Sequence, residues 1–398
     1  MPSDKVDDIG VVKKRIALED LRKYAAGTAQ VFEDVRAPNG TILLSRGMRL
    51  SSLGASIKSI EKKLYGWGIS SLPIVIRNTF DLDDFKTALK NSKIGLSFSD
   101  SEGLRQTLGQ LHTVFGHAAE GRCDAEDISR LVLRGEALAR EASQVEQVMW
   151  CLEKVSGEND YLCVHSLNVA LLSAFLAHRM FPEQPQLAEV LTVGGLLHDL
   201  GKARLSDFLL NKPTSLTNEE FSTVKKHSEY GEALAASGGI SDPRVLAVIR
   251  GHHERLSGGG YPDTLNETEI SQEMRIAAVA DVFDALTTDR PHRNSVGGRN
   301  AVSVMVEDAG RSFDSKVMRT LLLSIGLYPP GSVVELSDDS IGIVVNVRDR
   351  DILRPQILLQ IDETGRKVED SRIVDLGSEK SLYIRNAVHD TGKMGTDF

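Results

Sequence analysis

The chain has 398 residues, and at about 150 residues per domain this calls for two or three domains. A net charge of −9 and a pI near 5.7 exclude a general binder of polymeric nucleic acid, which needs a basic excess or stripe to neutralise phosphates. Cys123, Cys151 and Cys163 show neither CxxC nor paired spacing, which reads as reduced thiols, and a charged N-terminus with no run of about 18 apolar residues reads as a cytoplasmic protein without a membrane span.

Residues 1–80 read as a small N-terminal α+β module. QVFEDVRAPNGTILLSRGMRL suggests short strands joined at Pro38-Asn39-Gly40, Leu53, Ile57, Ile60 and Leu64 fall at helical spacing, and SSLPIVI offers a closing strand. Residues 81–130 read as a polar helical connector in which His112 and His117 lie on the surface. The connector offers a face on which two chains could pair as a homodimer, and the flanking modules offer one for a signalling partner. From 131 to 328 the pattern is helical throughout, broken by loops such as SGGISDP and SGGGYPDTLNETE. Thr217 and Glu220 form a capping-box pattern expected to open the helix that carries His227. Residues 329–385 are β-rich and turn-separated, and 386–398 form a polar, loose tail.

Within the helical stretch stand His165, His198-Asp199, His227, His252-His253 and Asp281. Five imidazoles and two carboxylates are more than one ion needs, and nitrogen and oxygen donors without thiolates suit two divalent ions, Fe or Mn foremost, with Ni or Zn also compatible. His198 and Asp199 follow the apolar run VLTVGGLL, which places them at the end of a buried helix. A carboxylate can bridge two metals where an imidazole holds one. Asp199 is therefore the expected bridge between a set of His165, His198 and Asp281 and a set of His227, His252 and His253. A hydroxide held between such ions is poised for in-line attack on phosphorus. Lys202, one turn past Asp199, reads as a catalytic cation or as a charge at a helix C-terminus. Arg290 and Arg293 read as phosphate forks or as solvated charges.

HDLGK at 198–202, HHERLSGGGYP at 252–262 and ADVFDAL at 280–286, joined by LLNKPTSLTNEEFSTVKKHSEYG, resemble an HD-GYP domain over about 200 residues. The resemblance implies an all-α HD-type catalytic domain and a bacterial phosphodiesterase that opens cyclic di-GMP to pGpG and sometimes continues to GMP. Carried over by position, it makes His165, His198, Asp199, His227, His252, His253 and Asp281 the metal ligands. Lys202 becomes the catalytic lysine, and Tyr261, Arg290 and Arg293 become contacts to the dinucleotide. Three positions depart from the family pattern. Tyr161 stands where some members carry a glutamate that helps hold a third metal, which predicts a binuclear site. Ser257 replaces an aspartate and His292 a tyrosine, which bears on turnover more than on metal binding. Two rival readings follow: a metallated but sluggish cyclic-di-GMP sensor, and an HD phosphohydrolase acting on another nucleotide.

Overall fold

In the computed structural model, residues 11–77, 102–143, 158–210, 212, 214–288, 298–348, 351–368 and 372–388 are described. The chain divides into two compact units, one of Met1–Ile94, Gly331–Asn346 and Arg354–Val388, the other of Gly95–Pro330, Val347–Leu353 and His389–Phe398.

In the first unit, β1 (Val11–Ala17), β2 (Gln30–Val31) and β5 (Ser71–Arg77) form a sheet of order β1-β5-β2, and β3 (Val35–Arg36) pairs antiparallel with β4 (Ile42–Leu44). The expected turn is present: the Ala37 N–H donates to the Thr41 carbonyl, and Gly40 takes a φ of 85° that suits a residue without Cβ. Helices α1 (Leu21–Ala25) and α2 (Ile57–Gly66) cover a core of Leu18, Leu21, Leu50, Leu64, Leu72 and Ile74. Beyond the helical stretch, β6 (Val333–Leu336), β7 (Ile341–Arg348), β8 (Asp351–Ile361), β9 (Ile373–Asp375) and β10 (Ile384–Val388) make a sheet of order β10-β6-β7-β8-β9. Lys14 pairs with Asp339, and Thr28 N–H donates to the Thr364 carbonyl, so the N-terminal strands and much of the C-terminal sheet share one unit.

The second unit is helical. In chain order come α3 (Glu102–Ala119), α4 (Ala125–Ala142), α5 (Glu158–Met180), α6 (Pro185–Leu197), α7 (Asp207–Leu210), α8 (Asn218–Lys225) and α9 (His227–Ser237). They continue with α10 (Pro243–Gly251), α11 (Gln272–Thr287), α12 (Gly298–Glu307) and α13 (Ser315–Ile325). α3 is amphipathic and buries Leu104, Leu111, Val114 and Phe115 in the helical core. Within this stretch one surface reading is corrected. His112 is exposed as expected, but His117 is half-buried, its Nδ1 2.9 Å from Asp127 and 3.0 Å from Asp124.

α6 is central, which explains why its sequence is apolar all round: every residue from Val190 to Leu197 is buried. Gly195 lets it approach α5 so closely that a Cβ there would lie 2.6 Å from the Ala170 Cα. Residues Tyr161–Met180 have the length and mean hydropathy of a membrane span, contrary to the expectation that no such stretch exists. That helix is 89% buried inside the fold and carries His165, the mark of a core helix.

Candidate metal centre

Three of the histidine donors sit where a helix ends or begins, whereas His165 lies inside α5 and Asp281 inside α11. His198 is the C-cap of α6, His252 the C-cap of α10, and His227 the first residue of α9. The capping box is present, with the Glu220 N–H donating to Thr217 Oγ1 and the Thr217 N–H to Glu220, but it opens α8, which ends at Lys225. His227 thus heads the next helix instead of riding on the capped one.

These helix ends orient the rings. His198 Nδ1–H donates to the Gly195 carbonyl at 2.7 Å, His227 Nδ1–H to Val224 at 2.7 Å and His252 Nδ1–H to Ile249 at 2.9 Å, each reaching three residues back to a last-turn carbonyl. A carbonyl can only accept, so each ring keeps its Nε2 lone pair for the interior. His165, inside α5, has no free carbonyl within its own turn and donates Nδ1–H to the Asp284 carboxylate at 2.6 Å.

Asp199 lies between the two groups, fully buried. Its Oδ2 is 3.6 Å from His165 Nε2 and 3.4 Å from His198 Nε2, and its Oδ1 is 3.5 Å from His227 Nε2 and 4.0 Å from His252 Nε2. Asp281 reaches across both, with Oδ1 3.2 Å from His165 and Oδ2 3.6 Å from His253 Nδ1. All seven residues therefore converge: His165, His198 and Asp199 form one cluster, Asp199, His227, His252 and His253 another, and Asp281 reaches a histidine of each. Gly201 makes the convergence possible, because a Cβ there would overlap the His227 carbonyl. The 3₁₀ turn Leu200–Arg204 then returns Lys202 Nζ to within 2.6 Å of Asp199 Oδ2.

The donor set fits two cations. His198 and His165 face each other Nε2 to Nε2 at 3.3 Å, as do His227 and His252, a clash of lone pairs unless something positive lies between them. Asp199 Oδ1 has no hydrogen-bond partner although it is buried, which is costly for a carboxylate without a counter-charge. Burial, helped by neighbouring imidazoles, pushes His227 down to about 4 and holds His252 and His253 well below the usual histidine range, so they are neutral donors at pH 7. His165 behaves oppositely: burial lowers it, but Asp281 and Asp284 outweigh that and raise it to about 9. Without metal a proton on His165 would take the cation's place. Burial alone would raise Asp199, yet Lys202 and the histidines keep it well below its ordinary value.

Around this centre lies the GYP loop. Tyr261 rests on His253, ring centroids 4.5 Å apart and planes tilted by 30°, and burial pushes its phenol well above the usual range. Tyr161 lies parallel to His165, with ring centroids 5.6 Å apart. Ser257 is exposed in its turn and takes no part in the donor set. Arg290, Arg293 and His292 fall outside the described residues.

Two functional side chains escape a ligand-by-ligand reading. Asp284, which orients His165, stands three residues beyond Asp281 and so on the same face of α11; that spacing is the signal that could have found it. Glu254 follows the His252-His253 pair, is buried, and accepts from the Asp263 N–H at 2.8 Å and the Leu265 N–H at 3.1 Å. It ties the GYP loop to the end of α10. A Cβ on Gly260 would collide with that same glutamate.

Residues 151–317 match the HD domain family, and residues 333–392 match a KOW domain associated with the HD domain. The first match covers the donor set and the second the C-terminal sheet. The chain is similar to a cyclic di-GMP phosphodiesterase of Pseudomonas aeruginosa, at 34% identity over 57% of this chain and 54% of the relative. It is also similar to the cyclic di-GMP phosphodiesterase PdeB of Borreliella burgdorferi, at 26% identity over 56% of each. A 3'3'-cGAMP-specific phosphodiesterase of Vibrio cholerae is 33% identical over 44% of this chain and 38% of its own. The chain spans about half the length of the first two relatives.

Proposed function

We propose that this chain, whose residues 151–317 match the HD domain family, is a phosphodiesterase that opens cyclic di-GMP to pGpG at a binuclear centre. The observation that carries the reading is Asp199, whose two oxygens each face a different histidine pair. His165, His198 and Asp281 would hold one ion and His227, His252 and His253 the other, with Asp199 shared, and the oxygen and imidazole donors suit Fe or Mn. Two divalent ions, when bound there, supply the Lewis acidity and activated water that hydrolysis of a phosphodiester at neutral pH requires.

The chain's own residues do the rest. Neutral imidazoles with their Nδ1–H groups tied back present lone pairs at fixed angles, so little reorganisation accompanies loading. Lys202 supplies a cation at the rim of the donor set, where it can offset charge growing on a non-bridging phosphate oxygen. Tyr261, held on His253 by the Glu254-tied loop, offers a ring face against which a base can pack. Tyr161 on His165 leaves no carboxylate for a third ion at that place. Arg290 and Arg293 would grip the dinucleotide phosphates.

The test is hydrolysis of cyclic di-GMP by anaerobically purified protein loaded with Fe or Mn, with products followed over time and metal per chain counted on the same sample. Two metals with pGpG appearing supports the reading. Asp199→Ala should abolish hydrolysis and release at least one metal, and Lys202→Ala should slow turnover with both metals retained. The similarity to a cGAMP-specific relative favours a second reading, hydrolysis of another cyclic dinucleotide, which a substrate panel separates. Two metals and tight binding with an intact dinucleotide would point instead to a sensor.

A further inference from the structure

Helix α8 buries none of its residues, yet it is firmly anchored: the Thr217 capping box closes its start, and Lys212 pairs with both oxygens of Glu220 at 2.6 and 2.8 Å. A helix that contributes nothing to the core but is held this rigidly presents its side chains for another purpose. Its Phe221 is 44% exposed, and Lys225, one turn on, lies on the same face. Phe221 meets Tyr261 edge-to-face at 6.2 Å, and the Lys225 ammonium stands 4.7 Å from the Phe221 ring centre and 5.5 Å from that of Tyr261. The shelf is continuous with the metal centre through Tyr261, which lies 4.5 Å from His253.

We propose that Phe221 and Lys225 form a purine shelf selective for guanine, in which a base stacks on Phe221 while Lys225 donates to its edge. This deepens the cyclic-di-GMP reading and rests on it. A phosphodiester seated at the donor set has its base one ribose away, and the ring succession from His253 through Tyr261 to Phe221 runs outward from that point. Aromatic stacking accepts any base. Selectivity comes from the ammonium: guanine offers two adjacent acceptors, O6 and N7, whereas adenine turns an N–H₂ donor toward the same place. The cation–π contacts keep the flexible lysine stem beside the rings without consuming its hydrogen-bonding capacity. Phe221 faces solvent beside the Lys225 ammonium and in ring contact with Tyr261.

The experiment measures KM, kcat and equilibrium binding on the full-length, Mn-loaded protein with cyclic di-GMP and with cyclic di-AMP, which has the same backbone and no guanine. Phe221→Ala should raise KM for cyclic di-GMP about tenfold with kcat and metal content unchanged, and Phe221→Trp should restore it. Lys225→Met, which keeps the stem and removes the donors, should raise KM for cyclic di-GMP and leave cyclic di-AMP unaffected, narrowing the preference. Wild-type turnover or binding of cyclic di-GMP that neither variant alters would overturn the shelf while leaving the phosphodiesterase reading in place. Wild-type protein that neither binds nor cleaves cyclic di-GMP overturns both.

Discussion

Asp284 touches no proposed metal and yet should control one of the two sites. Its carboxylate accepts the His165 Nδ1–H at 2.6 Å and the Thr288 hydroxyl at 3.0 Å, in a position with no solvent exposure. Asp284→Ala leaves that Nδ1–H without an acceptor inside the fold, at a cost of about 1–3 kcal/mol, and frees the ring to turn. At 1.4 kcal/mol per decade this is roughly a 5- to 150-fold change, in line with the 10- to 100-fold effects typical of groups that orient metal-bound histidines. The loss should fall on the site built from His165, His198 and Asp281, while the site of His227, His252 and His253 keeps its affinity, because the His227 and His252 Nδ1–H groups rest on backbone carbonyls and His253 Nδ1 faces Asp281. Asp284→Asn retains an oxygen acceptor and should lose roughly tenfold or less. Stepwise Mn titration by calorimetry, with circular dichroism as the check on folding, resolves the two events. Unchanged affinity in both steps, or equal loss in both from a folded protein, would refute the assignment.

Gly201→Ala should destabilise the protein by about 1–3 kcal/mol or more, because the added methyl overlaps the His227 carbonyl; a denaturation midpoint and metal count equal to wild type would contradict the close approach. Glu254→Ala removes the acceptor of two backbone N–H groups and should raise KM through a loosened Tyr261 far more than it alters metal content, checked by steady-state kinetics beside metal analysis. Chelation should lower the thermal midpoint, since Asp199 and Asp281 then rely on side chains such as Lys202 and protonated His165 for charge compensation. Returning Mn should restore about 2.7 kcal/mol at a free concentration one hundred times the dissociation constant, and a midpoint indifferent to metal would count against the centre.

Much of the site was legible in the order of residues because ligand chemistry is local in type: histidines and aspartates at these spacings announce metal donors before any fold is known. Turn and cap signals were equally local, hence the hairpin at Asn39-Gly40 and the capping box at Thr217. That box nevertheless ends its helix two residues before His227, since a cap specifies where a helix begins and says nothing about where it stops. His117 looked solitary because its partners, Asp124 and Asp127, meet it only after α3 turns into α4.

The donor types belong to the sequence, because five imidazoles and two carboxylates are recognisable as metal ligands in any fold, and a carboxylate can bridge where an imidazole cannot. Which oxygen of Asp199 faces which pair, that Asp284 and three helix-end carbonyls set the ring orientations, and that Phe221 stands outside the core beside Tyr261 were decided by tertiary structure alone. Hydrogen-bond direction and exposure depend on where distant helices end relative to one another, and no spacing along the chain records that.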